Sequence, residues 1–342
     1  MRVLVTGATG FIGSHATMAL QVEGHDVRVL VRDPPKLDRV TARVGVDVGA
    51  LQVVEGDVTD EASVTEAVTG CGGAVHAAAV VATDPSRDRE VEATNLVGAR
   101  NVLGAALAAG CDPVIHLSSA SALFPFRTDP VTGDHPVGES DSAYPRTKAE
   151  CERLARRLQA DGHPVVTIYP AMVIGPDDWN RSEQVEPTRT WLTRPYPRTK
   201  GFSISFVDVR DVAAVIAAAL VPGRGAKRYI WFGHHLTGEQ HIAVLGRARG
   251  KPIRTVPMPR AAFWAWGRLG DLARRVGRDL VLTSEGYAYI FGACAGDNSF
   301  TARDTGVTPR PVEESFRDAI RWLYETGEID AEAAGALALD SR

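Results

Sequence analysis

Cysteine is scarce in this chain: four in 342 residues, at Cys71, Cys111, Cys151 and Cys294, with no CxxC pair. Such wide spacing excludes a disulfide framework and the cysteine-based zinc motifs, and reads as free thiols in a reducing compartment. No apolar run reaches the roughly 18 residues that a membrane-spanning helix needs. The first residues carry no basic region or cleavage site and enter a strand and glycine turn directly. A cytoplasmic protein without stable membrane insertion is therefore expected. Charge of one sign is also missing: 38 basic residues face 42 acidic ones, a formal net charge of −4. That balance gives no reason to expect nucleic acid as a partner. His234, His235 and His241 lie close in sequence, but no cysteine or carboxylate stands at ligand spacing around them, so no metal centre is expected.

What is present is a rhythm. Up to about residue 170, short β-branched runs at 3–6, 27–31, 51–54, 74–76, 114–117 and 165–169 alternate with helix-like stretches at 11–22, 61–68, 91–109 and 143–159. Strands that are apolar throughout and separated by helices imply a parallel sheet covered on both faces. Right-handed crossovers then lead to an α/β fold, the Rossmann doubly wound sheet. Beyond 170 the alternation weakens and proline, tryptophan and arginine become denser, as at Trp179, Pro187, Trp191, Pro195 and Pro197. A helix at 209–220 and a strand at 229–232 suggest that the chain re-enters the sheet. The expected organisation is a dinucleotide-binding domain over 1–170 with a return at about 206–233. A smaller, discontinuous substrate lobe takes 171–205 and 234–330, and an Ala-rich tail follows over 331–342.

The first strand runs into Thr6-Gly7-Ala8-Thr9-Gly10-Phe11-Ile12-Gly13. A glycine turn between a strand and a helix presents backbone N–H groups and the positive helix end to a pyrophosphate. Gly7 allows the tight turn, Gly10 the approach of phosphate, and Gly13 the packing of helix on sheet. The spacing GxxGxxG is one residue wider than GxGxxG. At the end of the second strand stand Arg32 and Asp33. An arginine there holds a 2′-phosphate and an acid a 2′-hydroxyl, so NADP(H) is favoured, with Lys36 assisting, and NAD(H) stays possible. Asp57, after the third strand, is placed to accept a hydrogen bond from the adenine amino group.

Taken together, residues 6–13, 56–58, 76–79, 118–119 and 144–148 resemble the extended short-chain dehydrogenase/reductase superfamily, the NAD-dependent epimerase/dehydratase family. Residues 27–34 and 168–176 look closest to its dihydroflavonol-4-reductase-like and 3β-hydroxysteroid-dehydrogenase-like branch. The segments 206–208, 211–213 and 309–314 fit as well, so the resemblance covers nearly the whole chain. It implies that Val58, Ala77, Ala78, Ala79, Asn95, Pro170, Met172 and Val173 join the turn residues in holding the cofactor. It also implies a catalytic set of Ser119, Tyr144 and Lys148, in which the tyrosine protonates the carbonyl oxygen as hydride arrives and the lysine also holds the nicotinamide ribose. Tyr144 and Lys148 are four apart and share a helix face, where the ammonium charge stabilises tyrosinate. Ser118 and Ser121 are neighbouring candidates, but Ser119 matches the family position after the strand.

Tyr-Pro-Arg-Thr-Lys occurs twice, at 144–148 and 196–200. Only the first copy leads into a strong helix former; the second is followed by Gly201-Phe202-Ser203 and reads as loop. The function expected is hydride transfer between a nicotinamide cofactor and a ketone or secondary alcohol of apolar character. The alternative is a nucleotide-sugar epimerase or dehydratase. Those relatives carry a tyrosine shortly after the serine and an asparagine past the sixth strand, where this chain has Phe124 and Ala171. A third reading, a dinucleotide sensor without chemistry, is disfavoured by the intact Tyr144 and Lys148. The pocket is expected from 176–205 and 257–295, where Phe263–Leu272 is read as packed helix, lid or membrane contact. The partner is a small-molecule substrate, and the resemblance allows a homodimer.

Overall fold

The computed structural model describes residues 1–81, 85–182, 185–275 and 282–339. Seven parallel strands form the main sheet: β1 (Arg2–Thr6), β2 (Asp26–Val31), β3 (Gln52–Glu55), β4 (Gly73–His76), β5 (Val114–Leu117), β6 (Val165–Pro170) and β10 (Lys227–Trp231). Their spatial order is β10-β6-β5-β4-β1-β2-β3. The order reverses direction between β1 and β4, and in a doubly wound sheet ligands bind outside the carboxyl ends of the strands at that switch point. Two small sheets stand beside it: β7 (Met172–Ile174), β9 (Ser203–Asp208) and β11 (His234–Thr237) in one, and β8 (Tyr196–Arg198) with β12 (Thr255–Pro257) in the other.

The helices that cover the main sheet begin with α1 (Phe11–Val22), α2 (Pro34–Val44) and α3 (Glu61–Val68). α4 (Asp88–Glu92) runs through a π-helical turn, Ala93–Val97, into α5 (Gly98–Ala108), and α6 (Ala143–Ala160) follows. α7 (Val185–Thr193), α8 (Val209–Ala219), α9 (Gly238–Ala248), α10 (Arg260–Arg275) and α11 (Ser284–Phe291) come next. The last three are α12 (Ser299–Thr305), α13 (Val312–Glu325) and α14 (Ala331–Ala334). Local chemistry sets several starts. Asp33 and Asp60 accept backbone N–H bonds as N-caps of α2 and α3, and Thr237 with Gln240 closes a capping box on α9. α2 escaped the sequence reading because it opens on Pro34-Pro35; proline is tolerated in a first turn, where the N–H has no helical partner anyway.

Alternate strand residues bury on opposite faces. Val3, Val5, Val29 and Ile115 join α1 and α8 in one core, while Leu4, Leu30, Ala74 and Val114 join α3 and α5 in the other. A third core, with Phe206, Phe263, Phe316 and Trp322, lies under the C-terminal elements. The supposed tail belongs to that third core. Asp330 caps α14, and Ala333, Ala334, Leu337 and Ala338 are buried in that core, so these residues are apolar packing rather than low-complexity extension. Among the described residues no helix is long and apolar enough to cross a membrane.

Candidate active site

The glycine turn sits at the switch point. Gly7 has φ +79, and a Cβ there would come within 2.6 Å of the Ala78 nitrogen at the end of β4. A Cβ on Gly13 would collide with the Gly7 carbonyl oxygen, so the helix start packs directly on the turn. Gly10 is the N-cap of α1 and no side chain caps the first amides, which leaves them for an anion. Ala77, Ala78 and Ala79 are half-buried beside them. Phe11 and Ile12 start the helix and pack on the first core. This cradle fits a dinucleotide. Thr6 Oγ1 bonds His76 Nδ1 at 2.9 Å and ties the two strand ends together. Asn180, which the sequence reading did not single out, donates to the Thr9 carbonyl, so the segment after β7 reaches back to the turn.

At the end of β2 the two charged residues part ways. Asp33 Oδ1 accepts the Lys36 N–H at 3.0 Å, which commits the carboxylate to capping α2. Arg32 is largely exposed and its nearest acid is Asp57, at 3.8 Å. Asp57 in turn accepts both the N–H and the hydroxyl of Thr59 through Oδ1. Val58 is buried beside it against Gly98, and Lys36 is half-buried on the first turn of α2.

Ser119, Tyr144 and Lys148 come from the end of β5 and the start of α6. Ser119 Oγ accepts from the Ser121 N–H at 3.1 Å and the Ser121 hydroxyl at 2.9 Å, which leaves its own proton to donate elsewhere. Ser118 is buried. Lys148 is buried and gives one hydrogen bond, 3.0 Å, to the Leu117 carbonyl; its ammonium lies 6.0 Å from the Tyr144 ring centre. Among the described residues it has no carboxylate partner. His76 and His116 stack on each other nearby, with ring centres 5.9 Å apart. Burial first, then the Lys148 charge, depresses both imidazoles, His76 to about 3, so they stay neutral and do not compensate the lysine. Its charge is therefore free to act on Tyr144 and on a ligand.

Asn95, expected at the cofactor, faces inward. It is buried, its amide bonds the N–H and C=O of Val80 and the Thr147 hydroxyl, and so it ties the loop after β4 to α6. Its position follows from the π-helical turn, which sequence periodicity does not announce. Pro170 ends β6, and Met172 and Val173 lie in β7, whose partner β9 leads into α8. The second Tyr-Pro-Arg-Thr-Lys copy is elsewhere: Tyr196 is buried, its hydroxyl paired with His241 Nδ1 at 2.9 Å, and Lys200 is exposed in a turn. His235 pairs with Ser205 and His234 with the Arg310 carbonyl, so the three histidines serve separate contacts.

The loop between Ser119 and α6 is walled by the C-terminal elements. Phe124, Phe126 and Tyr289 of α11 form an aromatic cluster with ring centres 5.3 to 6.0 Å apart. Ala171 packs with Phe126 and Phe232 in an apolar group. Phe263 of α10 is buried against Phe202 and Phe291, while Trp264, Leu269 and Leu272 face outward. α10 thus packs through Phe263 on α11 and on Phe202.

The family model for the NAD-dependent epimerase/dehydratase family matches residues 3–230. The chain is 30% identical to sterol demethylase protein B of Methylococcus capsulatus, over 96% of this chain and 100% of that protein. It is 28% identical to a putative dihydroflavonol 4-reductase of a Synechocystis species, over 95% of each. Among solved structures, that of gox2253 superposes with TM-score 0.78 at 26% identity, covering 96% of this chain and 99% of that one. UDP-glucose 4-epimerase from Bifidobacterium longum gives 0.72 at 19%, covering 96% and 99%. The chain belongs to the NAD-dependent epimerase/dehydratase family, within the extended short-chain dehydrogenase/reductase superfamily, and is an oxidoreductase of that family.

Proposed function

We propose that this enzyme reduces an apolar, aromatic-bodied ketone, or oxidises the corresponding secondary alcohol, with NADP(H) as the preferred cofactor. The observation that carries the reading is the aromatic wall that Phe124 and Phe126, on the loop that joins Ser119 to Tyr144, form with Tyr289 of α11. Such a wall offers apolar area and little to a charged sugar diphosphate. Ala171, in its apolar group, provides no amide for one either. When bound, the nicotinamide gives or takes the hydride. Ser119 donates a hydrogen bond to the carbonyl oxygen and keeps its proton, Tyr144 transfers the one proton to that oxygen, and Lys148 favours the resulting tyrosinate. Arg32, exposed and only loosely paired, supports a 2′-phosphate, whereas Asp33 is engaged in capping α2.

The test is stoichiometric. Purified enzyme is mixed with free NADPH and an aryl ketone such as acetophenone. A reductase consumes one NADPH for each alcohol formed. Retention of tightly bound NAD with no net change in free cofactor, together with epimerisation of a nucleotide sugar, would defeat the proposal.

A further inference from the structure

Tyr289 is the residue near the catalytic set whose chemistry is unaccounted for. It lies in α11, one turn beyond Glu285, and the two residues share a helix face. Glu285 Oε1 accepts the Ser140 hydroxyl at 3.2 Å, and Ser140 Oγ accepts the N–H of Ser142, the N-cap of α6. That bond fixes α11 to the beginning of the helix that carries Tyr144 two residues later. The loop from the other direction is fixed as well. Phe124 meets the Tyr289 ring at 5.3 Å, the Ala295 N–H reaches Asp129 at 3.2 Å, and Val131 donates to the Ala295 carbonyl at 2.8 Å. Gly292 makes the first contact possible, because a Cβ there would press on the Phe124 ring at 3.3 Å.

The ring of Tyr289 is thus clamped between phenylalanines, yet among the described residues its hydroxyl has no hydrogen-bond partner. The residue is only half-buried. A phenol held on an aromatic platform usually finds a partner for its oxygen. Burial first, and then negative charge on Tyr144, push the Tyr289 phenol up. Tyr289 consequently stays protonated while Tyr144 cycles, and it remains a donor.

We infer that Tyr289 is a specificity-determining residue whose hydroxyl hydrogen-bonds a second oxygen of the substrate, one borne close to the reacting carbonyl, while Phe124 and Phe126 take its apolar body. The inference rests on the ketone-reductase reading and narrows its substrate class to ketones that carry such an oxygen. A site built to bond a hydroxyl rejects the analogue that lacks it, since its own polar group is then left unpaired.

The experiment compares 2-hydroxyacetophenone with acetophenone as substrates of wild type and Tyr289→Phe, with NADPH in excess. Wild type should favour the hydroxylated ketone by about tenfold or more in kcat/KM. In Tyr289→Phe that preference should shrink to about threefold or less, chiefly through a raised KM for the hydroxylated ketone, with NADPH affinity retained. An undiminished preference in the variant overturns the inference and leaves the reductase reading standing. So does an equal loss on both ketones, which marks a structural role, or a wild type that does not distinguish them. Failure of wild type to oxidise NADPH with either ketone defeats the reductase reading and this inference with it. A matching thermal midpoint, and Tyr289→His as a variant that keeps a donor and restores part of the preference, separate lost specificity from lost folding.

Discussion

At the scale of single residues, the site works through what each side chain has left over. Lys148 gives one bond to Leu117 and keeps its charge, Ser119 accepts twice and keeps its proton, and Asp33 spends itself on a cap while Arg32 does not. The last contrast is a prediction. Arg32→Ala should lower NADPH affinity by about 1.5–3 kcal/mol, the worth of a hydrogen bond to a charged group, and leave NADH affinity nearly unchanged. Titration of the stripped protein with both nucleotides checks it; an unaltered ratio of affinities contradicts it. The Tyr144 and Lys148 candidates stand out in the sequence because their spacing of four is a local signal, whereas Ser119 is singled out from its neighbours by the family resemblance. Tyr289 and Asn180 do not stand out, because each is defined by a partner more than 140 residues away.

Among elements, the clearest physical statement concerns the start of α1. Gly13 and Gly7 occupy the same space that a methyl group would need. Gly13→Ala should therefore cost about 1–3 kcal/mol of stability, or more, and abolish measurable dinucleotide binding. Gly104 is the control: it is exposed within α5, a Cβ there meets nothing, and Gly104→Ala should stabilise by about 0.5–1 kcal/mol with binding retained. Urea unfolding and nucleotide titration of the two variants decide the matter; similar behaviour in both would show that the turn tolerates a side chain. The strands of the sheet and most of its helices were readable to within a residue or two; the stretch read as one helix over 91–109 starts at Asp88 and is broken by a π-helical turn. α2, which opens on two prolines, and α14, whose alanines look like low complexity, were not readable. Their formation depends on an aspartate cap and, for α14, on packing against the third core.

For the whole molecule, two features link the main sheet to the C-terminal elements. One is an ion-pair network. Arg310 donates to Asp211 of α8 at 2.8 Å and approaches Asp208 at 3.5 Å, while Arg210 joins Asp208 to Asp318 of α13. Burial raises the Asp208 carboxyl, but Arg210 and Arg310 outweigh it and hold it below the usual value. The motif segments 206–213 and 309–314 thus meet in space, which the sequence marked as separate signals. Arg310→Met should destabilise by about 3 kcal/mol, because it leaves buried carboxylates short of a partner; a loss under about 0.5 kcal/mol in urea would contradict this.

The other feature is a set of buried neutral histidines. Burial depresses His15 to about 4 and His76 and His241 to about 3, and takes His116 well below its ordinary value. The unfolded chain binds these protons near 6.5. Stability is therefore complete above that pH and is lost as pH falls below it. Each histidine removes up to about 1.4 kcal/mol per pH unit until its folded value is reached. The urea midpoint should drop between pH 7.5 and 5.5; a flat profile would mean that these imidazoles are charged or solvated in the folded protein.

In the proposed reaction Tyr144 is the proton donor to a carbonyl held by Ser119 beside the cofactor cradle. Its most direct test is Tyr144→Phe, assayed for NADPH oxidation by an aryl ketone beside a titration of NADPH binding. Turnover should fall by about 10²–10⁴-fold with NADPH affinity within a few-fold of wild type. Turnover that stays within a few-fold of wild type would contradict it.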